Sequence, residues 1–312
     1  MNEPATLLNP TMSSAFEELA SQLSPTSVVR RNEPLARRTT LRVGGPADLY
    51  IEPASEADLA VVARLCGARN LPLFILGRGS NLLVRDAGFR GVVICLAQPA
   101  FSRIDVSGER LNCGAGAKLK AVAFEAKRRG LAGLEFLEGI PGSVGGALRM
   151  NAGAMGGAMF EVVRSVRLMA PDGTIAERES GDLDVRYRAC ATLKDHIALG
   201  ALLQGATGIP EAIERRMNEF SRKRWSSQPA APSAGCMFKN PAALPAGKLI
   251  DELGLKGARV GGARVSMEHG NFLVNDGTAT ARDVLDLIEL VRQRARTERG
   301  IELETEVEII GE

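Results

Sequence analysis

Apolar positions along this chain repeat with two periods, near two and near 3.6, and the switches between them mark out its elements. A short apolar run from Asp48 to Glu52 predicts a strand. Ser55-Glu-Ala-Asp58 then has capping-box spacing in its Asp form and opens an amphipathic helix through Val62, Leu65 and Cys66. Leu73 to Leu76 reads as a buried strand running into the loop Gly77-Arg-Gly-Ser-Asn81, and Val92 to Leu96 as another. Leu119 to Arg129 reads as a helix ended by Gly130. Val163 to Ala170, the turn Pro171-Asp-Gly173 and Thr174 to Glu177 form a predicted hairpin, followed by a strand from Ile197 to Gln204. A charged helix starts at Pro210 and runs to Arg224, ahead of the Pro- and Ser-rich stretch Ser226 to Ser233. Further helices are predicted over Gly247 to Leu253 and Thr280 to Glu298. In the second, Val284, Leu287, Ile288 and Val291 share one face. Glu302 to Ile310 alternates strictly, with Leu303, Val307 and Ile309 on one side and four glutamates on the other.

These elements define an α+β protein. Residues 1–32, with Pro4, Pro10 and Pro25, read as an N-terminal tail with one short helix around Phe16 and Leu19. The body divides into 33–98, 99–209 and, after the composition shift near residue 209, 210–312.

Composition narrows the chemistry. Apolar runs such as Ile197 to Leu203 are far shorter than the roughly 20 residues a bilayer span needs, so no membrane association is expected. A net charge of +2 without a polybasic face gives nucleic-acid binding little electrostatic support. The two histidines, His196 and His269, leave no His-rich metal site, and no metal is expected. Five scattered cysteines without a CxxC suit a reducing compartment. With no basic n-region near Glu3, this predicts a cytoplasmic protein.

Glycine is the informative residue. Gly77-x-Gly-Ser-Asn81, Gly139-Ile-Pro-Gly-Ser-Val-Gly-Gly146, Met150-Asn-Ala-Gly153 and Thr40-Leu-Arg-Val-Gly-Gly45 lie in one region. Such segments let backbone N–H groups converge on an anion, and several together point to a dinucleotide diphosphate. A Rossmann fingerprint does not fit: Gly77-x-Gly79 and Gly114-x-Gly116 both lack the third glycine. No GxxxxGK[ST] is present either. A non-Rossmann flavin site remains, in which loops of an α+β domain wrap FAD.

Seven motifs in order carry a resemblance. They are Leu76-Gly-Arg-Gly-Ser-Asn-Leu-Leu-Val84, Ile140-Pro-Gly-Ser-Val-Gly-Gly-Ala147, Met150-Asn-Ala-Gly-Ala154, Tyr187-Arg188, Gly235-Cys-Met-Phe-Lys-Asn-Pro241, Gly254-Leu-Lys-Gly257 and Glu306-Val-Glu-Ile-Ile-Gly311. Together they resemble the UDP-N-acetylenolpyruvoylglucosamine reductase (UDP-N-acetylmuramate dehydrogenase) family over about residues 37–311. The resemblance implies a two-subdomain FAD module of the vanillyl-alcohol-oxidase (PCMH-like) kind over 33–98 and 99–209, with a substrate domain over 210–312. It implies noncovalent FAD, NADPH as co-substrate and a nucleotide-sugar substrate whose enolpyruvyl ether is reduced. The setting would be peptidoglycan precursor synthesis, and with it cell-wall biogenesis, cell shape and division. No oligomer is required. The only tyrosines are Tyr50 and Tyr187, and the interval between Arg188 and Cys236 is short. Both features are similar to the shorter class of the family, which lacks a lid loop and its stacking tyrosine.

The resemblance also implies roles. Gly77, Arg78, Gly79, Ser80, Asn81, Gly142, Ser143, Gly145, Gly146, Asn151 and Gly153 would contact FAD, Gly145 by letting backbone N–H groups reach the diphosphate. Arg188 would hold the carboxylate on which negative charge develops, a task suited to a guanidinium fork. Cys236 stands where many relatives have serine and would donate the proton, a thiol being the stronger acid. Glu306 would orient the carboxylate region and assist the enolate. Tyr187, Asn240 and Lys256 would bind substrate, with Lys239, Lys248, Arg224 and Gln228 weaker candidates and Asn271 within reach of the sugar. Read from the residues alone, Tyr187-Arg188 is equally a strand end, Cys236 an apolar cysteine, and Glu306 part of a solvated face. Two alternatives stay open: an FAD-dependent sugar or hydroxy-acid oxidase, and a catalytically inactive nucleotide-sugar-binding protein.

Overall fold

The computed structural model describes residues 10–312. The chain forms two compact units that interleave in sequence. The first takes the chain up to Glu33 with Asp48–Gly77 and Gly91–Arg222; the second takes Pro34–Ala47, Arg78–Arg90 and Lys223–Glu312. Three consecutive segments cut at 98/99 and 209/210 are therefore not how the packing divides. The charged helix Pro210–Ser227 begins in the first unit, where Ile213 and Met217 are buried, and the division falls between Arg222 and Lys223.

The first unit is built on a five-stranded antiparallel sheet in the order Ile175–Glu179, Val163–Met169, Ile197–Gln204, Arg110–Gly114, Ile104–Ser107. The predicted hairpin is there: Gly173 supplies φ +85 and Asp172 Oδ1 accepts from the Thr174 N–H at 2.8 Å. A second, four-stranded sheet has the order Val28–Pro34, Pro46–Glu52, Phe89–Cys95, Leu73–Leu76, its last pair parallel. Helix Glu56–Ala68 starts where its capping residues place it, with Ser55 Oγ accepting from the Asp58 N–H at 3.1 Å. Helix Leu119–Arg128 ends before Gly130, whose φ of +68 reverses the chain.

The N-terminal tail is a correction. Residues 1–9 lie outside the described residues, but Pro10–Gln22 is a helix of full length and Val28–Pro34 is a strand. Met12, Ala15, Leu19 and Leu23 are buried along one helix face. The buried Asp58 fastens this segment, accepting from Ser24 N–H (3.0 Å), Ser24 Oγ, Ser27 Oγ and Ser55 Oγ. Burial opposes the charge, yet these hydrogen bonds outweigh it and hold the Asp58 carboxyl below its ordinary range.

The second unit packs helix Ala281–Arg299 against an antiparallel sheet ordered Ser233–Cys236, Phe272–Asn275, Ala263–Val265, Arg259–Val260. Thr280 and Asp283 form a reciprocal capping box, Gly300 ends the helix at φ +63, and Val284, Leu287, Ile288 and Val291 are all buried. The terminal alternation sorts the faces as expected, with Leu303 and Val307 buried. Only Glu308–Ile310 is a strand, however, paired parallel to Leu82–Val84. Its neighbours up to Val307 follow an irregular path touching the sheet at a single Phe238–Thr305 bridge.

Candidate active site

In the first unit the glycine segments converge. A Cβ on Gly77 would come within 3.0 Å of the hydroxyl of buried Ser143, and one on Gly146 within 3.6 Å of the same oxygen. Glycine at both positions keeps that hydroxyl approachable, which fits the close passage of a dinucleotide. Gly142 lies against Leu119, and its carbonyl accepts from the Leu119 N–H at 3.1 Å. Gly145 acts differently from expectation. Its N–H donates to Ala115 O at 2.7 Å, and a Cβ there would sit 3.1 Å from Ala115 Cβ. Its glycine serves contact with the protein itself, and its N–H is committed before any ligand arrives.

The Asn151–Gly153 segment leads into a hairpin, Gly153–Ala154 with Gly157–Ala158, turned by Met155 (φ +54) and Gly156 (φ +87). Positive φ at both central positions is the type I′ turn that matches strand twist. Asn151 stitches this loop to its neighbours: Oδ1 accepts from Phe160 N–H and Nδ2 donates to Arg186 O, each at 3.2 Å. Tyr187-Arg188 is itself the two-residue turn between strands Val185–Arg186 and Ala189–Cys190. It forces Arg188 to φ +57, a conformation costly for a residue with a Cβ. The half-buried guanidinium donates to Gly153 O at 3.2 Å and lies 5.3 Å from the Tyr187 ring centre. Tyr187 itself is 60% exposed.

In the second unit the tight turn at Gly79 (φ +60) packs on the segment Arg38–Thr40. Its carbonyl accepts from Thr40 N–H at 3.1 Å, and a Cβ would strike Arg38 O. Arg78 is exposed and Ser80 half-buried, its carbonyl 3.8 Å from where a Gly235 Cβ would stand. Asn81 is committed to the C-terminal segment: Nδ2 donates to Glu306 O at 3.0 Å, and its carbonyl accepts from Glu308 N–H at 3.1 Å. Glu306 N–H in turn donates to Met237 O at 2.9 Å, so Glu306 lies beside the strand bearing Cys236. Gly235 (φ +76) forms the irregularity in that strand just before Cys236, which pairs with Phe272. Both Cys236 and Glu306 are half-buried. Burial pushes the thiols of Cys66 and Cys113 up to about 12, so they are inert packing groups.

The remaining candidates divide. Asn240 is exposed, with Oδ1 accepting from Ala246 N–H at 3.0 Å to set the start of helix Ala246–Glu252. Lys256 pairs with Asp251 at 2.8 Å, and burial together with Lys256 lowers the proton affinity of His269. Lys239 is drawn to Glu304 and Lys248 to Glu252. Asn271 is the clear departure. It is buried, and its amide spans Phe238, Oδ1 accepting from the N–H at 2.9 Å and Nδ2 donating to the carbonyl at 2.7 Å. It braces the Cys236 strand and does not reach out to a sugar. Sequence reading passed over this brace, and it also passed over Glu138, a buried acid preceding the second glycine loop. Among the described residues no group of three or more His, Cys, Asp or Glu is placed to hold a metal, and no helix is long and apolar enough to cross a membrane.

Comparison with known proteins agrees with this arrangement. Residues 47–178 match the FAD binding domain model, and 228–310 match the model for the C-terminal domain of UDP-N-acetylenolpyruvoylglucosamine reductase. The reductase of that name from Heliobacterium modesticaldum is 47% identical over 285 residues, covering 90% of this chain and 90% of the relative. The one from Syntrophomonas wolfei is 41% identical over 290 residues, covering 92% and 97%. The crystal structure of the Thermus caldophilus enzyme superposes with a TM-score of 0.79 at 40% identity, over 91% of this chain and 99% of that one. With an α+β FAD module whose loops suit the cofactor, and a family-specific second domain, the chain belongs to the FAD-binding oxidoreductase family of UDP-N-acetylenolpyruvoylglucosamine reductases.

Proposed function

We propose that this chain reduces the enolpyruvyl ether of UDP-N-acetylglucosamine enolpyruvate to the D-lactyl ether of UDP-N-acetylmuramate, with NADPH as co-substrate, in cytoplasmic peptidoglycan precursor synthesis. The observation that carries the residue assignments is the clamp on Glu306. Of the alternating glutamates, Glu302 is spent on Arg296 and Glu304 on Lys239, both largely exposed, and Glu308 lies in the terminal strand. Glu306 alone is gripped on both backbone sides, by Met237 and Asn81, next to Cys236.

Bound FAD, re-reduced by NADPH, supplies the hydride that adds to the terminal carbon of the enol ether. Arg188 holds the substrate carboxylate, which takes up the resulting electron density; its anchorage to Gly153 O fixes the fork before substrate arrives. Cys236 delivers its thiol proton to the adjacent carbon, and solvent returns a proton to the thiolate. Glu306 orients the carboxylate end, while Tyr187, Asn240 and Lys256 position the nucleotide sugar. Gly77, Ser143 and Gly146 in one unit, and Arg78 to Asn81 in the other, contribute to the FAD site, with Gly142, Gly145, Asn151 and Gly153 shaping its loops.

Purified protein given NADPH and the enolpyruvyl substrate should oxidise NADPH in step with formation of a product heavier by two hydrogens. Oxygen consumption with an alcohol substrate, with no NADPH turnover, would replace this reading with an oxidase. A colourless protein that cannot be reconstituted with FAD would replace it with an inactive binding protein.

A further inference from the structure

Glu138 is unlike other acids of the first unit. It lies in the 3-10 turn Glu135–Gly139, immediately before the loop running to Gly146, and its side chain is only 8% exposed. One carboxylate oxygen, Oε1, sits 3.6 Å from Lys120 Nζ, a lysine that is itself 66% exposed. The other, Oε2, is buried and has no hydrogen-bond partner among the described residues. By contrast, the buried neighbour Glu135 is satisfied by Gly133 N–H at 2.7 Å and by Arg216 at 3.4 Å. A buried carboxylate oxygen without a donor is costly enough that native proteins rarely keep one.

Its position suggests what the donor is. Helix Leu119–Arg128, whose Lys120 faces Glu138, also fixes the glycine loop: Leu119 N–H donates to Gly142 O, and Lys118 bridges to Ser143. The orphaned oxygen therefore lies at the base of the same loop whose Ser143 and Gly146 suit the cofactor. An ionised carboxylate can only accept, and FAD carries hydroxyl donors along its ribityl chain and on its ribose.

We propose that Glu138 is a cofactor-positioning residue whose Oε2 accepts a hydrogen bond from a hydroxyl of FAD, with Lys120 balancing its charge at Oε1. This rests on FAD occupying the Gly139–Gly146 loop. The test is FAD titration of the deflavinated full chain by flavin fluorescence, with thermal unfolding of the same samples with and without FAD. Glu138→Gln should weaken FAD binding by about tenfold, and Glu138→Met by about 10- to 100-fold, the span for a hydrogen bond to a charged group. The flavin-free unfolding midpoint should stay level or rise, because an unsatisfied buried charge has been removed. FAD affinity within about twofold of wild type in Glu138→Gln, with or without a lowered flavin-free midpoint, would make Glu138 a structural acid and overturn the proposal. Should Glu138→Met not fold, Glu138→Gln decides alone. A wild type that took up no FAD would overturn the cofactor assignment as well, so the two failures are distinguishable.

Discussion

Replacing Asn271 with alanine tests the architecture of the Cys236 strand directly. The side-chain amide satisfies both backbone groups of Phe238, a residue with no exposed surface, through bonds of 2.9 Å and 2.7 Å. Removing it leaves one N–H and one carbonyl buried without partners, each costing about 1–3 kcal/mol, so the total is about 2–6 kcal/mol. Strand pairing is not directly broken, because Met237 N–H donates to the backbone carbonyl of Asn271, which alanine retains. The loss should therefore be local. Hydrogen exchange of the Phe238 amide should accelerate by at least about tenfold, while exchange in the five-stranded sheet of the first unit is unchanged. Asn271→Asp keeps an acceptor for the Phe238 N–H but presents no donor to its carbonyl, so it should not restore stability. A sugar contact would behave differently: KM would rise with stability and exchange unaffected. Wild-type protection at Phe238 in Asn271→Ala would refute the brace.

The remaining expectations concern chemistry and stability. Cys236→Ala should leave NADPH oxidation by the flavin intact and slow the substrate half-reaction by about 100-fold or more, with Cys236→Ser retaining most activity; stopped-flow traces of both half-reactions that slow equally, or not at all, would assign Cys236 to packing. Arg188→Lys should keep FAD and lower kcat strongly, since a point charge cannot reproduce the fork; a near-wild-type oxidative half-reaction would remove Arg188 from this role. Gly145→Val must break the bond to Ala115 O and crowd Ala115 Cβ, costing about 1–3 kcal/mol, so flavin-free unfolding should fall along with FAD occupancy. A yellow, fully stable variant would show that this contact is slack. Asp58 has its folded pKa lowered, so it adds stability that is fully present above its unfolded value and drains away as pH falls through the folded one. Acid unfolding curves of Asp58→Asn should accordingly be flatter on the acid limb than wild type, and parallel curves would exclude Asp58 as the anchor of the N-terminal helix.

What the sequence settles alone is whatever short-range physics specifies. The capping boxes at Ser55 and Thr280, the turn at Pro171–Gly173 and the heptad-like face of Val284 to Val291 each need only a few neighbouring residues to be correct, and each is found where expected. The glycine loops announce a dinucleotide for the same reason, since freedom from a Cβ is a property of the residue itself. Tertiary packing decides the rest. Nothing local to Ser24 or Ser27 tells that Asp58 will collect their hydroxyls and turn a tail into a docked helix. Strict alternation near the C-terminus sorts Leu303 and Val307 inward, but only the availability of Leu82–Val84 as a partner lets three residues pair as a strand. Gly145 and Asn271 carry the same lesson at the site. The pattern marks both as polar or small residues near the chemistry, whereas their function is set by Ala115 and Phe238, residues distant in sequence whose buried backbone groups must find partners once water is excluded.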